Sequence, residues 1–181
     1  MHWADYTAQR LMERGDEQVS ASGITPSGEF HIGHLREILS AEMIHRACLD
    51  AGMSSKYIFI VDSMDPLRRV YDFLSPEYEE FIGCPLAYIP APDEDGSPGN
   101  GSVTYADHFL FPFLDSLEQI GVRPEVVMNH ETYERGLFAE YIDSAITNRE
   151  EIRRIIQQIS GRELPHDWFP YNPMGSGGSM D

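Results

Sequence analysis

S-G-I-T-P-S-G-E-F-H-I-G-H, residues Ser22–His34, is the stretch that decides the fold of this chain. Residues 17–21 before it predict a short strand, and residues 35–51 after it predict a long amphipathic helix. A strand, a glycine-rich turn and a helix in this order form a phosphate site, because the first turn of a helix has free N–H groups and about half a positive charge. The stretch therefore predicts nucleotide binding.

Two glycines and two histidines of this stretch are candidates for contact with a nucleotide. Gly28 and Gly33 have no Cβ, so a ligand can come close to the backbone there. His31 and His34 are three residues apart, which places them on one helical face, where both rings can donate hydrogen bonds to phosphate oxygens. The competing interpretation is structural, since histidines at a helix start also cap the helix or lie exposed.

The same stretch resembles the HIGH motif of class I aminoacyl-tRNA synthetases. Residues 23–33 are similar to the first block of the class I (archaeal-type) lysyl-tRNA synthetases, G-I-T-P-S-G-x-x-H-I-G. The resemblance implies that His31 and His34 are catalytic, and that Gly23 and Thr25 help to hold lysine. It also implies an ATP-binding region made of Pro26, Ser27, Gly28, His31, Gly33 and His34.

A second candidate region follows the apolar run at residues 56–61, which predicts a parallel strand buried on both faces. Asp62, Asp65 and Arg68 come directly after it. Ligands of α/β sheets bind beyond the carboxyl ends of strands, so these side chains are candidates for a cleft that takes an ammonium, a ribose or a phosphate. The family has a similar segment, D-D-x-D-P-x-R, from which Ser63 departs. Helix capping is the alternative for both acids.

Periodicity predicts the remaining elements. Helices are expected over 3–14, 104–120 and 140–159, and a strand over 124–128. Pro112 is expected to bend or split the second of these helices. Residues 75–103 predict an irregular insertion with a mobile loop at 92–101. His130 and Glu131 follow the last strand and are weaker candidates for the same cleft.

Composition limits the classes of protein that fit. The chain has 181 residues, of which 41% are hydrophobic, enough for one domain with a core. The sequence has no apolar run long enough for a membrane span, and its two cysteines predict a reduced, cytoplasmic protein. No Cys-x-x-Cys occurs, so no structural metal is expected.

The formal net charge of −17 argues against binding of nucleic acid by this chain, because phosphate groups bind best to lysine and arginine. The family resemblance implies tRNA(Lys) as a partner, beside ATP and lysine. A tRNA-binding surface outside this sequence would reconcile the two. Adaptation to a salty cytoplasm would also explain the acidity.

Together these features predict an α/β, Rossmann-like (HUP-type) fold with a mostly parallel sheet and helices on both faces. The resemblance implies the first half of a class I synthetase catalytic core: residues 1–173 form part of the nucleotide-binding catalytic domain, and residues 174–181 form a Gly/Ser-rich tail or linker. The family's second block, K-M-S-K-S, does not occur in the sequence. Whether this half acts alone stays open.

The activity implied by the resemblance is the ATP-dependent activation of lysine to lysyl-adenylate, followed by transfer to tRNA(Lys). Mg²⁺ is expected to accompany ATP. Three alternatives stay open: a nucleotidylyltransferase that uses the same HxGH block, a non-catalytic truncated paralogue, and an inert half-domain.

Overall fold

Three parallel strands form the sheet of this protein: β1 (Glu17–Ile24), β2 (Ser54–Val61) and β3 (Glu125–Met128), in the order β1-β2-β3. Ile24 pairs with Val61, and Val61 pairs with Met128. The carboxyl ends of all three strands therefore meet at one edge of the sheet. The computed structural model describes residues 1–180, which contain these three strands and the six α-helices of the fold.

Six α-helices surround or extend this sheet: α1 (Trp3–Met12), α2 (Ile32–Asp50), α3 (Tyr105–Gln119), α4 (Asn129–Glu134), α5 (Ala139–Thr147) and α6 (Arg149–Ser160). Helix α2 packs on β1 and β2, and α1 packs on α2. The predicted α/β class with a parallel sheet is confirmed. No helix of residues 1–180 is long and apolar enough to cross a membrane.

The main core lies on one face of the sheet. Tyr57, Phe59 and Val61 of β2 are buried there between apolar side chains of α2 and α3. The other face of β2 carries Ile58 and Ile60, which are only half-buried. The prediction that β2 is buried on both faces is therefore wrong in part, because alternate residues of the strand meet different surroundings.

The segment between β2 and α3 has a small core of its own. Its buried residues are Leu67, Leu74, Tyr78, Leu86, Ile89, Tyr105, Ala106 and Phe109, and residues Pro76–Phe81 form a 3-10 helix. The expectation of a mobile loop at 92–101 does not fit the hydrogen bonds there. Gly96 is buried, its carbonyl accepts from the N–H of Ser75 at 2.8 Å, and the Gly99 N–H donates to Ala91 at 2.9 Å.

Several predicted boundaries are corrected by the structure. Strand β1 continues to Ile24 and α2 begins at Ile32, so the turn between them is shorter than the sequence suggested. Helix α3 is continuous through Pro112 and is not split. The helix predicted over 140–159 is two helices, because Asn148 leaves helical geometry at φ −101°, ψ 18° and its side-chain amide donates to the Ser144 carbonyl at 2.8 Å.

The Gly/Ser-rich end is ordered through residue 180. Met174 and Met180 form an isolated β-bridge, and the Met180 N–H donates to the Gly83 carbonyl at 2.8 Å. The segment therefore folds back as a tight turn on the irregular segment. The last residue of the predicted tail, Asp181, lies outside the described residues.

Candidate functional site

The side chains of His31 and His34 both accept backbone N–H groups at the start of α2. His31 is the N-cap residue, and its Nδ1 accepts from the Gly33 N–H at 3.0 Å. The His31 N–H donates in turn to Nδ1 of His34 at 3.0 Å. The two ring centroids are 3.9 Å apart. The sequence-based placement of both histidines on one face of a helix is thus refined to a reciprocal cap.

This cap fixes the tautomer of both rings. A nitrogen that accepts a hydrogen bond carries no proton, so each neutral imidazole holds its proton on Nε2. Partial burial is the main reason why the pKa of His34 is lowered, and the neighbouring His31 lowers it further, while Glu37 acts in the opposite direction. At neutral pH His34 therefore presents an uncharged Nε2–H donor.

Aromatic packing supports the His34 ring. Phe30 meets it edge-on, with centroids 5.1 Å apart, and Phe30 stacks on Phe113 of α3 at 4.3 Å. The turn is thereby joined to the main core. Sequence reasoning missed Phe30, although its place next to His31 in the quoted stretch was visible.

The two glycines of the turn differ in the space around them. A Cβ at Gly33 would lie 2.7 Å from Cε1 and 2.9 Å from Nδ1 of His31, which is closer than real contacts allow. A Cβ at Gly28 would meet the Phe73 ring at an ordinary 3.6 Å. The His31 ring can therefore take this position only because residue 33 has no side chain. The sequence alone does not show this contact.

A second group of polar residues lies where β1 and β2 end. The Thr25 hydroxyl donates to Oδ2 of Asp65 at 2.7 Å, and the Arg68 guanidinium contacts the same oxygen at 3.3 Å. The N–H of Asp62 donates to the Ile24 carbonyl at 2.9 Å. The structure thus joins Thr25, predicted to hold lysine, to the predicted cleft residues Asp62, Asp65 and Arg68. Gly23 lies at the exposed end of β1, with its N–H 3.4 Å from a Glu37 carboxylate oxygen.

These acids line a cleft of about 800 Å³ at the carboxyl edge of the sheet. Its wall is partly aromatic, and the residues that supply it are Tyr88, Tyr133, Trp168, Phe169 and Tyr171. Sequence reasoning missed these side chains, because nothing in a sequence reports that the run at 168–173 folds back over the end of β2. His31 and His34 are not among the residues that line this cleft.

Burial and the nearby Asp65 raise the pKa of Asp62, while a hydrogen bond from Asn129 lowers it. A carboxylate in such a place is stabilised by a cation more than one in open water, because little solvent screens the pair. Two carboxylates and an aromatic wall form a site that fits an ammonium group.

The two weaker candidates after β3 do not line the cleft. His130 packs against the buried Ser63, whereas Glu131 is exposed. His108 is exposed on α3, and His45 bonds to Ser55 at 2.9 Å on the far part of α2. Residues 1–180 contain no group of three or more His, Cys, Asp or Glu side chains that could hold a metal ion.

The parallel sheet and the glycine-rich turn capped at a helix start define an α/β nucleotide-binding domain. The chain belongs to the family described as tRNA synthetases class I (K), whose model matches residues 1–179. The resemblance that the residues suggested is thereby confirmed.

Archaeal proteins named lysine–tRNA ligase are similar to the chain over almost its whole length. It is 42% identical over 173 residues to lysine–tRNA ligase 1 of Methanosarcina acetivorans, a match that covers 96% of this chain and 31% of the relative. It is 44% identical over 174 residues to the protein from Archaeoglobus fulgidus, with 96% and 34% covered. It is 42% identical over 174 residues to that from Methanocaldococcus jannaschii, with 95% and 32% covered. The chain spans about a third of the length of these relatives.

Proposed function

We propose that this chain is the N-terminal part of the catalytic domain of a lysine–tRNA ligase, which activates lysine with ATP and transfers it to tRNA(Lys). The observation that carries the proposal is the reciprocal cap at the start of α2. It leaves the Nε2–H group of each ring as a donor at the positive end of the 19-residue helix α2. The 40–44% identity to lysine–tRNA ligases supports the choice of substrate.

On this proposal, ATP phosphates lie at the start of α2. In adenylate formation, the lysine carboxylate attacks the α-phosphorus, the bond to the bridging oxygen breaks, and pyrophosphate leaves with the electron pair. Negative charge grows on the phosphate oxygens as this happens. Donors that are already oriented stabilise it without rearrangement, and the dipole of α2 adds to the effect.

Pro26, Ser27, Gly28 and Gly33 serve this step by shaping the turn. Gly33 leaves room for the His31 ring, and Gly28 lies beside the Phe73 ring. Pro26 is buried and Ser27 accepts, through its carbonyl, a hydrogen bond from the Tyr105 hydroxyl at 2.9 Å. These contacts support a rigid phosphate-binding turn.

Lysine is proposed to lie between Gly23 and Thr25 on one side and the acidic cleft on the other. Asp62 and Asp65 face the cleft and would receive an ammonium group. Thr25 holds the Asp65 carboxylate in place through its hydroxyl. Lysine carries two ammonium groups, and the proposed contacts with Asp62 and Asp65 suit either of them.

Mg²⁺ is proposed to arrive with the ATP phosphates. The described residues offer no cluster of ligands for it, so no residue is assigned to it and no step depends on it. The tRNA is proposed to contact mainly parts of the longer protein beyond this acidic chain. A cytoplasmic location is proposed as well, and the free thiols of Cys48 and Cys84 fit a reducing compartment.

The test is lysine-dependent exchange of pyrophosphate into ATP by the full-length protein that contains this chain. His31→Ala is expected to lower the exchange rate about 100- to 1,000-fold, as loss of one oriented donor does. The control is His45→Gln on the same helix, which is expected to stay near the wild-type rate. Exchange that proceeds equally without lysine, or with glutamate in its place, would overturn the proposal.

A further inference from the structure

We propose that Asn129 is a positioning residue for the ammonium site, holding the Asp62 carboxylate toward the cleft, and that the contact between His130 and Ser63 sets Asn129 opposite Asp62. The inference rests on the proposed function, because it assumes that Asp62 receives a substrate ammonium. It adds a contribution of β3 that neither the motif nor the polar run after β2 contains.

Strand pairing brings the two residues together. Val61 and Met128 are partners in the parallel register, so Asp62 and Asn129 are the first residues beyond the ends of neighbouring strands. The Asn129 side-chain amide donates to Oδ1 of Asp62. The Asp62 backbone is held from the other side by its hydrogen bond to Ile24 of β1. Asp62 is thus held on both sides, by β1 through its backbone and by Asn129 through its carboxylate.

Ser63 and His130, the residues after Asp62 and Asn129, also contact each other. The His130 N–H donates to Oγ of Ser63 at 3.2 Å, and that hydroxyl lies 2.8 Å from Nδ1 of His130. One hydrogen bond joins this hydroxyl to the His130 backbone, and a second joins it to the His130 ring. Ser63 has no exposed surface at all. This buried double contact locks the start of α4 against the end of β2.

The charges around Asp62 explain why such a residue is needed. Asp65 lies on the same segment and, after burial, is the main reason why the pKa of Asp62 is raised. Tyr133 and Glu134 of α4 and Arg68 also line the cleft. The amide of Asn129 is the contact that lowers the Asp62 pKa and so favours the charged form. Without it, Asp62 loses both its orientation and part of its charge.

The experiment measures lysine-dependent pyrophosphate exchange by the full-length protein across a pH range. Asn129→Ala is expected to raise KM for lysine about tenfold with a smaller change in kcat, as loss of a hydrogen bond to a charged group does. The acid limb of kcat/KM is expected to move to higher pH, because Asp62 then protonates more easily. Asn148→Ala is the matched control: it removes an asparagine amide that binds the Ser144 carbonyl far from the cleft, and it should change neither quantity.

Further variants separate positioning from folding and from the proposed function. Asn129→Asp keeps the shape and places a second carboxylate against Asp62, so a larger rise of KM at neutral pH is expected. In an Asp62→Asn background, Asn129→Ala should add little. A KM raised by Asp62→Asn but not by either Asn129 variant would overturn the positioning role alone. If Asp62→Asn itself leaves KM for lysine unchanged, the ammonium site of the proposed function fails.

Discussion

Replacing Gly33 by alanine is expected to separate stability from activity at the start of α2. The new Cβ would lie 2.7 Å from Cε1 of His31, so one of them must move. The His31 ring is exposed and can swing outward, whereas the helix backbone cannot. Losing the cap costs about 1 kcal/mol, and alanine in place of glycine in a helix returns about 1 kcal/mol. The free energy of unfolding is therefore expected to change by less than about 1 kcal/mol.

Activity is expected to respond very differently. An outward His31 ring no longer directs its Nε2–H toward the phosphates, so pyrophosphate exchange should fall about 100- to 1,000-fold. Thermal unfolding gives the stability and the exchange assay gives the rate. Gly177→Ala is the matched control, because a Cβ there meets nothing within 4 Å.

A double variant tests the cause. If alanine at Gly33 acts by displacing His31, it should add almost nothing once His31 is already alanine. A Gly33→Ala protein with near-normal exchange would refute the steric argument. So would a loss that is just as large in the His31→Ala background, since the glycine would then matter for a reason other than the ring.

Three further results are expected. Thr25→Val removes the hydroxyl donor to Asp65 and should raise KM for lysine about tenfold or more, while Thr25→Ser retains most of the affinity. Between the lowered pKa of His34 in the folded chain and its ordinary value of 6.5, the unfolded chain binds more protons than the folded one. In denaturant titrations, the free energy of unfolding should therefore reach its full value above about pH 6.5 and decline as the pH falls through the folded pKa. This decline should diminish in His34→Gln. Phe59→Ala should destabilise the protein by about 3–5 kcal/mol in the same titrations, because Phe59 has no exposed surface in the main core; a cost below about 1 kcal/mol would contradict the packing described.

The sequence predicted the parts of the fold that local chemistry controls. The continuous apolar run of β2 is typical of a buried strand, and the three-residue spacing of Ile38 and Ala41 on α2 is typical of a helix. The family resemblance then supplied the expected α/β class. The break at Asn148 was missed, because the isoleucines on either side keep one helical period across it, while a single side-chain hydrogen bond ends the helix.

The candidate site was predicted less completely than the fold. The motif residues were visible as letters, but their reciprocal capping depends on the ring orientation of His31 and His34. Asn129 and Trp168 lie far along the chain from Asp62, and only the strand register and the returning segment bring them near it. Neither residue has a pattern of its own that a sequence could report, so contacts of this kind need coordinates.

The proposed reaction requires ATP, an anion, and the ammonium of lysine, a cation, to bind at one edge of the sheet. The net charge of −17 favours binding of the second and opposes binding of the first. The overall field attracts ammonium groups and repels ATP. A cleft that holds lysine can therefore rely on the carboxylates of Asp62 and Asp65. The phosphate site must bind ATP by short-range hydrogen bonds, because the overall charge repels it. The capped start of α2 supplies such donors, although residues 22–34 contain no lysine or arginine. Thr25 binds Asp65 and belongs to the same turn between β1 and α2 as the capped helix start, so the proposed reaction would bring the carboxylate and the phosphate together at this turn.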